Sequence, residues 1–91
     1  MKITFRAHAV RRMFERSVST DEVHAVLAMG ETIADYPDDT PYPSRLVLGW
    51  RGDRPLHVVA AYNRTDDETI VVTVYEPAAA DWEPDFRRKK R

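Results

Sequence analysis

The sequence predicts an α+β domain in which two amino-terminal helices pack on one face of a small antiparallel sheet of about four strands. Up to residue 30 the apolar residues recur with the period of a helix, and after it they recur with a period of two. Short turns separate the alternating segments, which indicates antiparallel neighbours. The chain has 91 residues, 43% of them apolar and 32% charged, which fits one folded domain. We therefore predict a single domain over residues 1–86 and a basic tail at residues 87–91.

The first helix is predicted over about residues 7–16. Val10, Met13 and Phe14 have the i, i+3, i+4 spacing of an apolar stripe. We expect this stripe to face the sheet and the charged residues of the helix to face solvent.

The second helix carries both a start and a stop signal. Ser19 is followed three residues later by Glu22, which is the pattern of a capping box. Gly30 is placed to end the helix in a left-handed conformation. Only about three residues separate the two helices, which predicts a hairpin or an angled pair.

The strands are predicted from alternation and from the turns between them. A short strand covers residues 32–36, and a proline-broken loop follows it. The segment after Pro77 reads as irregular, with Trp82 and Phe86 expected to hold it against the body. The other three predicted strands have these alternating residues: Leu46, Leu48 and Trp50; then Leu56, Val58, Ala60 and Tyr62; then Ile70, Val72 and Val74.

Several classes of function are disfavoured by composition. Cysteine is absent, so disulfides and thiolate chemistry are excluded. No apolar run approaches the roughly 20 residues that a membrane-spanning helix needs. The three glycines form no phosphate-binding loop, and no paired-histidine spacing of a metal site occurs. We therefore expect a cytoplasmic protein with no cofactor, no metal and no membrane partner.

Charge is segregated along the chain. Residues 1–16 are strongly basic, and residues 17–40 contain six acidic residues and no Lys or Arg. Residues 87–91 are all basic. Separated charges of this kind suit a polyanion on one side of the molecule and a basic partner on another.

Five residues are candidates for catalysis. Alternation places His57 and Tyr75 on one face of the sheet, on neighbouring strands. Arg54 lies at the head of the strand that carries His57. His8 and Arg12 share the polar side of the first helix.

These residue types are the ones that a metal-independent ribonuclease requires. A general base removes the proton of the ribose 2′-hydroxyl, a general acid protonates the leaving 5′-oxygen, and cations stabilise the charged phosphorane. Histidine suits the acid and base roles, and arginine suits the phosphate. We assign acid and base roles to His8 and His57, phosphate binding to Arg12 and Arg54, and positioning or protonation to Tyr75.

Each candidate also has a structural interpretation, which stays open at this point. His8 could simply be solvated, and His57 could be a hydrogen-bonded strand residue. Arg12 could pair with Glu15, and Tyr75 could serve packing alone. We expect further contacts with the RNA backbone from Arg11, Arg16, Arg87 and Arg88.

Four segments together resemble a small, uncharacterised bacterial domain family that is grouped near the RelE- and BrnT-like toxins. They are HAVRRMFERSVSTDEV, YPDDTPYPSRLVLG, RPLHVV and TVYEP, and the resemblance covers about residues 5–86. It implies a compact RelE- or barnase-like α+β fold and a toxin encoded beside its antitoxin. The family's motif residues map onto His8, Arg12, Arg16, Arg54, His57 and Tyr75.

Two hypotheses of function follow. The first is the toxin of a toxin–antitoxin pair, a metal-independent endoribonuclease whose partners are cellular RNA and a cognate antitoxin protein. The second is a non-enzymatic module that binds a nucleic acid or a protein partner through its basic face. The nuclease hypothesis requires that the imidazoles and guanidiniums converge on one hollow.

Overall fold

The computed structural model describes residues 2–91, which form two helices on one face of a five-stranded mixed sheet. The strand order is β1-β5-β4-β3-β2, with β1 parallel to β5 and every other neighbouring pair antiparallel. The elements in chain order are β1 (Lys2–Phe5), α1 (Ala7–Arg16), α2 (Thr20–Met29), β2 (Glu31–Tyr36), β3 (Ser44–Arg51), β4 (Arg54–Asn63) and β5 (Glu68–Tyr75).

The predicted four-stranded antiparallel sheet is wrong, because a fifth strand precedes the first helix. Lys2–Phe5 pairs in parallel with the first half of β5, in a register that aligns Lys2 with Glu68. Ile3 and Phe5 alternate as strand residues do, but their partner lies near the other end of the chain. The broad α+β class agrees with the structure.

The bounds of α1 match the prediction, but its buried stripe does not. Ala9 is 0% exposed and Met13 is 6% exposed, whereas Val10 is 53% and Phe14 is 86% exposed. The helix thus turns its small Ala9 toward β5, which allows a close approach to the sheet. The residues of the expected stripe, apart from Met13, point away from the core.

The capping box of α2 is confirmed. The Ser19 hydroxyl oxygen accepts from the Glu22 amide at 3.1 Å, and the Glu22 carboxylate accepts from the Ser19 amide at 2.8 Å. The predicted left-handed conformation of Gly30 is wrong, since its φ is −76°. Gly30 is required for space instead, because a Cβ there would lie 2.4 Å from the Val26 carbonyl oxygen.

The main core lies between the helices and the sheet. The opposite face of the sheet is covered in part by residues 77–91, which we call the C-terminal segment. Trp82 is 9% exposed there, and the Phe86 ring meets the Trp50 ring edge-on. No helix within residues 2–91 is long and apolar enough to cross a bilayer. The buried core residues are Ala9, Met13, Val18, Val23, Val26, Val47, Leu56, Val58, Val71 and Val74.

Candidate functional site

His57 and Tyr75 are brought together as the alternation predicts. They are direct partners in the antiparallel register of β4 and β5, on the face opposite the helices. The Tyr75 hydroxyl lies 3.2 Å from His57 Nδ1. The two rings meet edge-on with centroids 5.2 Å apart.

The C-terminal segment encloses His57. Its side chain is 0% exposed, and the Trp82 ring stands edge-on with its centroid 4.5 Å away. His57 Nε2 lies 2.9 Å from the Phe86 carbonyl oxygen, which can only accept. The proton of the neutral ring is therefore on Nε2, and Nδ1 accepts from the Tyr75 hydroxyl.

Burial sets the protonation of this pair. Desolvation lowers the pKa of His57, and the hydrogen bond to Phe86 offsets only part of that effect. Desolvation also raises the pKa of Tyr75. Both groups are therefore neutral at pH 7, and both nitrogens of His57 have partners inside the protein.

His8 reaches the same strand from the outer side. The amide of Arg6 donates to the Val71 carbonyl at 3.0 Å where β1 ends, and α1 then follows the remaining edge of β5. His8 is exposed, and its Nε2 lies 3.1 Å from the Thr73 hydroxyl oxygen. Because Thr73 and Tyr75 are two residues apart on one strand, both histidines are tied to the same end of β5.

Arg12 and Arg16 continue the row that His8 begins. The three residues are spaced by four, so they lie on one side of α1 about 6 Å apart along its axis. Arg12 is 3.5 Å from Glu15, with about half of each side chain exposed (45% and 49%). Arg11 is also exposed, at the solvent side of the helix.

Arg54 does not join this group. In β4 it is out of phase with His57 and belongs to the face that carries the helices. It donates to Glu76 at 2.8 Å, and Arg51 donates to the other Glu76 oxygen at 3.0 Å. Arg54 therefore belongs to an ion-pair cluster, which the sequence analysis missed because Glu76 lies outside the predicted strands.

Arg87 and Arg88 lie in the C-terminal segment, away from α1. Arg87 pairs with Glu31 at 2.8 Å, and Arg88 pairs with Asp85 at 3.4 Å. Their charges are thus offset by carboxylates, unlike those of Arg11 and Arg16, for which residues 2–91 supply no carboxylate partner.

A family model described as a domain of unknown function, DUF4258, matches residues 5–76. The chain belongs to the DUF4258 family. Neither the curated proteins nor the solved structures give a significant match to it.

The DUF4258 match begins at the end of β1 and stops just after β5, so it contains His8, His57 and Tyr75. Trp82 and Phe86 fall beyond the matched range. The enclosure of His57 is therefore contributed by a part of this chain that the family model does not cover.

None of the five predicted catalytic residues lines the surface hollows beside Gly30, Tyr36, Ile33 or Lys89. Residues 2–91 contain no group of three or more His, Cys, Asp or Glu that would hold a metal ion. The structure instead gives two separate arrangements, an enclosed pair of His57 and Tyr75 and an exposed row of His8, Arg12 and Arg16. We call the second arrangement the α1 cationic row.

Proposed function

We propose that this DUF4258 protein is a nucleic-acid-binding module that holds single-stranded RNA along the α1 cationic row. The observation that carries this proposal is the exposure of His8, Arg12 and Arg16 on one side of α1, with one carboxylate, Glu15, at 3.5 Å. Guanidiniums at one-turn intervals bind successive phosphates of a flexible strand. We choose RNA as the ligand class because the uncharacterised family that the sequence resembles is grouped near the RelE- and BrnT-like toxins.

The distribution of charge also favours the edge of the sheet that carries α1 as the RNA-binding surface. β1 and α1 lie at one edge of the sheet, and β2 forms the other. β2 carries Asp35 and also Glu31, which pairs with Arg87, and the loop after it carries Asp38 and Asp39. A polyanion is therefore attracted to the α1 edge and repelled from the β2 edge.

The test measures binding of a fluorescently labelled, single-stranded RNA to the full chain by anisotropy, over a range of salt concentrations. Arg12→Gln and Arg16→Gln are expected to weaken binding for all sequences and to reduce the salt slope by about one unit each. Arg88→Gln removes the same charge from the C-terminal segment and serves as the matched control. Equal weakening by Arg88→Gln and Arg12→Gln would contradict the proposal.

The second candidate is a metal-independent endoribonuclease toxin that uses His8, His57 and Tyr75 alone, because the five residues predicted from the sequence do not converge on one hollow. It is favoured by the contact of the exposed His8 with Thr73, which lies two residues before Tyr75 on β5. The Tyr75 hydroxyl is in turn hydrogen-bonded to His57. His8 would take the proton of the 2′-hydroxyl as the 2′-oxygen bonds to phosphorus. Tyr75 would turn its hydroxyl hydrogen from His57 Nδ1 to the departing 5′-oxygen and protonate it, and His57 would position Tyr75 before that step.

Cleavage of RNA in EDTA distinguishes this candidate from binding alone. We expect an active enzyme to lose cleavage in His8→Ala and in Tyr75→Phe and to keep RNA binding in Tyr75→Phe. His24→Ala is the matched control, because His24 lies on α2 and stacks on Phe5. Intact RNA with the wild-type chain, across several substrates, leaves only the binding function.

Because the family that the sequence resembles is grouped near the RelE- and BrnT-like toxins, we propose that either activity serves a toxin–antitoxin pair in the cytoplasm. In that setting the protein would bind cellular RNA and be neutralised by a cognate antitoxin protein. Controlled expression in bacteria checks this, because a toxin arrests growth and an Arg12→Gln, Arg16→Gln double variant is expected to relieve the arrest.

A further inference from the structure

Val10 and Phe14 form an exposed apolar strip on α1. They are 53% and 86% exposed, and a spacing of four residues makes them neighbours on the helix surface. We call them the Val10–Phe14 strip. Single exposed apolar residues are common on folded proteins, but two adjacent ones on one helix face form a surface suited to contact.

The strip has no role in the core of the protein or in the α1 cationic row. The core side of α1 is occupied by Ala9 and Met13. At 100° per residue, Val10 and Phe14 lie on one flank of that buried side, and the α1 cationic row lies on the other. α1 therefore presents an apolar surface that is distinct from the RNA-binding surface proposed above.

Arginines border the strip. Arg11 precedes Phe14 by three residues on the helix, and Arg6 is the N-cap residue whose carbonyl accepts from the Val10 amide at 3.0 Å. Both arginines are exposed, and neither is paired with a carboxylate of residues 2–91. A partner that covers the strip must therefore bring negative charge to its rim.

We propose that the Val10–Phe14 strip is the docking surface for an acidic amphipathic helix of a partner protein. The apolar side of that helix covers Val10 and Phe14, and its carboxylates pair with Arg6 and Arg11. A nucleic acid fits the strip less well, because only Phe14 offers a ring on which a base could stack and the aliphatic Val10 beside it does not. The claim is independent of RNA binding by the α1 cationic row.

The experiment uses the full chain and a labelled helical peptide of leucine, alanine and glutamate, with its leucines on one face. Anisotropy is expected to detect binding of the peptide to the wild-type chain. The Val10→Ala, Phe14→Ala double variant is expected to bind it about tenfold more weakly or worse. Arg11→Gln is expected to weaken it and to reduce its salt dependence. Met29→Ala is the matched control, since Met29 is 81% exposed on α2.

Four results obtained without RNA would overturn the proposal. The first two are that the peptide does not bind, and that a peptide of the same composition with scrambled leucines binds as tightly as the designed one. The other two are that Phe14→Ala binds the peptide as tightly as the wild type, and that the wild type is a dimer which Phe14→Ala dissociates. RNA anisotropy separates this surface from the proposed function, because Phe14→Ala is expected to leave RNA binding unchanged. Loss of RNA binding in Phe14→Ala would assign the strip to the nucleic acid and also overturn the proposal.

Discussion

The Tyr75 hydroxyl donates to Nδ1 of His57 at 3.2 Å, while Nε2 of the same ring donates to the Phe86 carbonyl at 2.9 Å. One buried imidazole thus connects β5 to the C-terminal segment through β4. The ring has no exposed surface, and it makes these two hydrogen bonds and an edge-on contact with Trp82.

The first prediction concerns the stability that His57 contributes. His57→Ala removes two hydrogen bonds and leaves space beside Trp82, so we expect a loss of about 2 to 4 kcal/mol in the free energy of unfolding. Tyr75→Phe removes one donor and is expected to cost about 1 kcal/mol. Urea denaturation measures both. A loss for Tyr75→Phe that equals or exceeds the loss for His57→Ala would contradict this account.

The second prediction is a pH dependence of stability below about pH 6.5. Burial holds the pKa of His57 below its ordinary value, whereas the unfolded chain titrates near 6.5. As the pH falls through that value, the unfolded state binds a proton that the folded state does not, so the free energy of unfolding decreases. Above about pH 6.5 this group has no effect on the slope.

Urea denaturation at about pH 7.5 and about pH 5.5 measures this change. His57→Gln serves as the control, because a glutamine side chain is neutral at both pH values and is expected to flatten the dependence. If the free energy of unfolding of His57→Gln depends on pH as strongly as that of the wild type, the dependence comes from groups other than His57.

The third prediction compares the ion pairs of Glu76. The Arg51 side chain is 13% exposed and the Arg54 side chain is 64% exposed, and both contact Glu76. Glu76→Gln leaves the enclosed Arg51 with only the more distant Glu22 carboxylate, at 3.5 Å, and is expected to cost about 2 kcal/mol. Arg54→Gln is expected to cost less than about 1 kcal/mol, because water screens that pair. Thermal or urea unfolding measures both losses. A larger loss for Arg54→Gln than for Glu76→Gln would contradict the assignment of Arg54 to a peripheral role.

The fourth prediction tests the contact of α2 with β3. A Cβ at Gly49 would lie 2.5 Å from Val26 Cγ2, and Val26 is a buried, stiff side chain. Gly49→Ala is expected to lower the free energy of unfolding by about 1 to 3 kcal/mol. Val26→Ala provides the space that Gly49→Ala needs. The double variant is therefore expected to lose less free energy of unfolding than the sum of the losses of the two single variants.

Local patterns predicted those parts of the fold that depend on neighbours in sequence. The capping box of Ser19 and Glu22 was predictable because all of its atoms lie within four residues. The pairing of His57 with Tyr75 was predictable because a short turn joins their strands and alternation fixes their face. β1 was missed because its partner is the last strand of the chain.

The orientation of α1 and the enclosure of His57 could not be predicted from local patterns. Periodicity ranks Val10 and Phe14 above Ala9 as core residues, but a helix that lies against a strand edge needs a small residue at the contact. The position of Phe86 over His57 depends on how an irregular segment returns to the sheet. The predicted convergence of five catalytic residues therefore gave way to two arrangements, with Arg54 outside both.

The parallel pairing of β1 with β5 has a consequence for synthesis of the protein on the ribosome. Lys2–Phe5 emerges before the other strands of the sheet, but the strand that it joins begins at Glu68. A nascent chain that stops before β5 cannot place its amino-terminal strand in the sheet. β1 is therefore incorporated into the sheet only after almost all of the matched domain has left the exit tunnel.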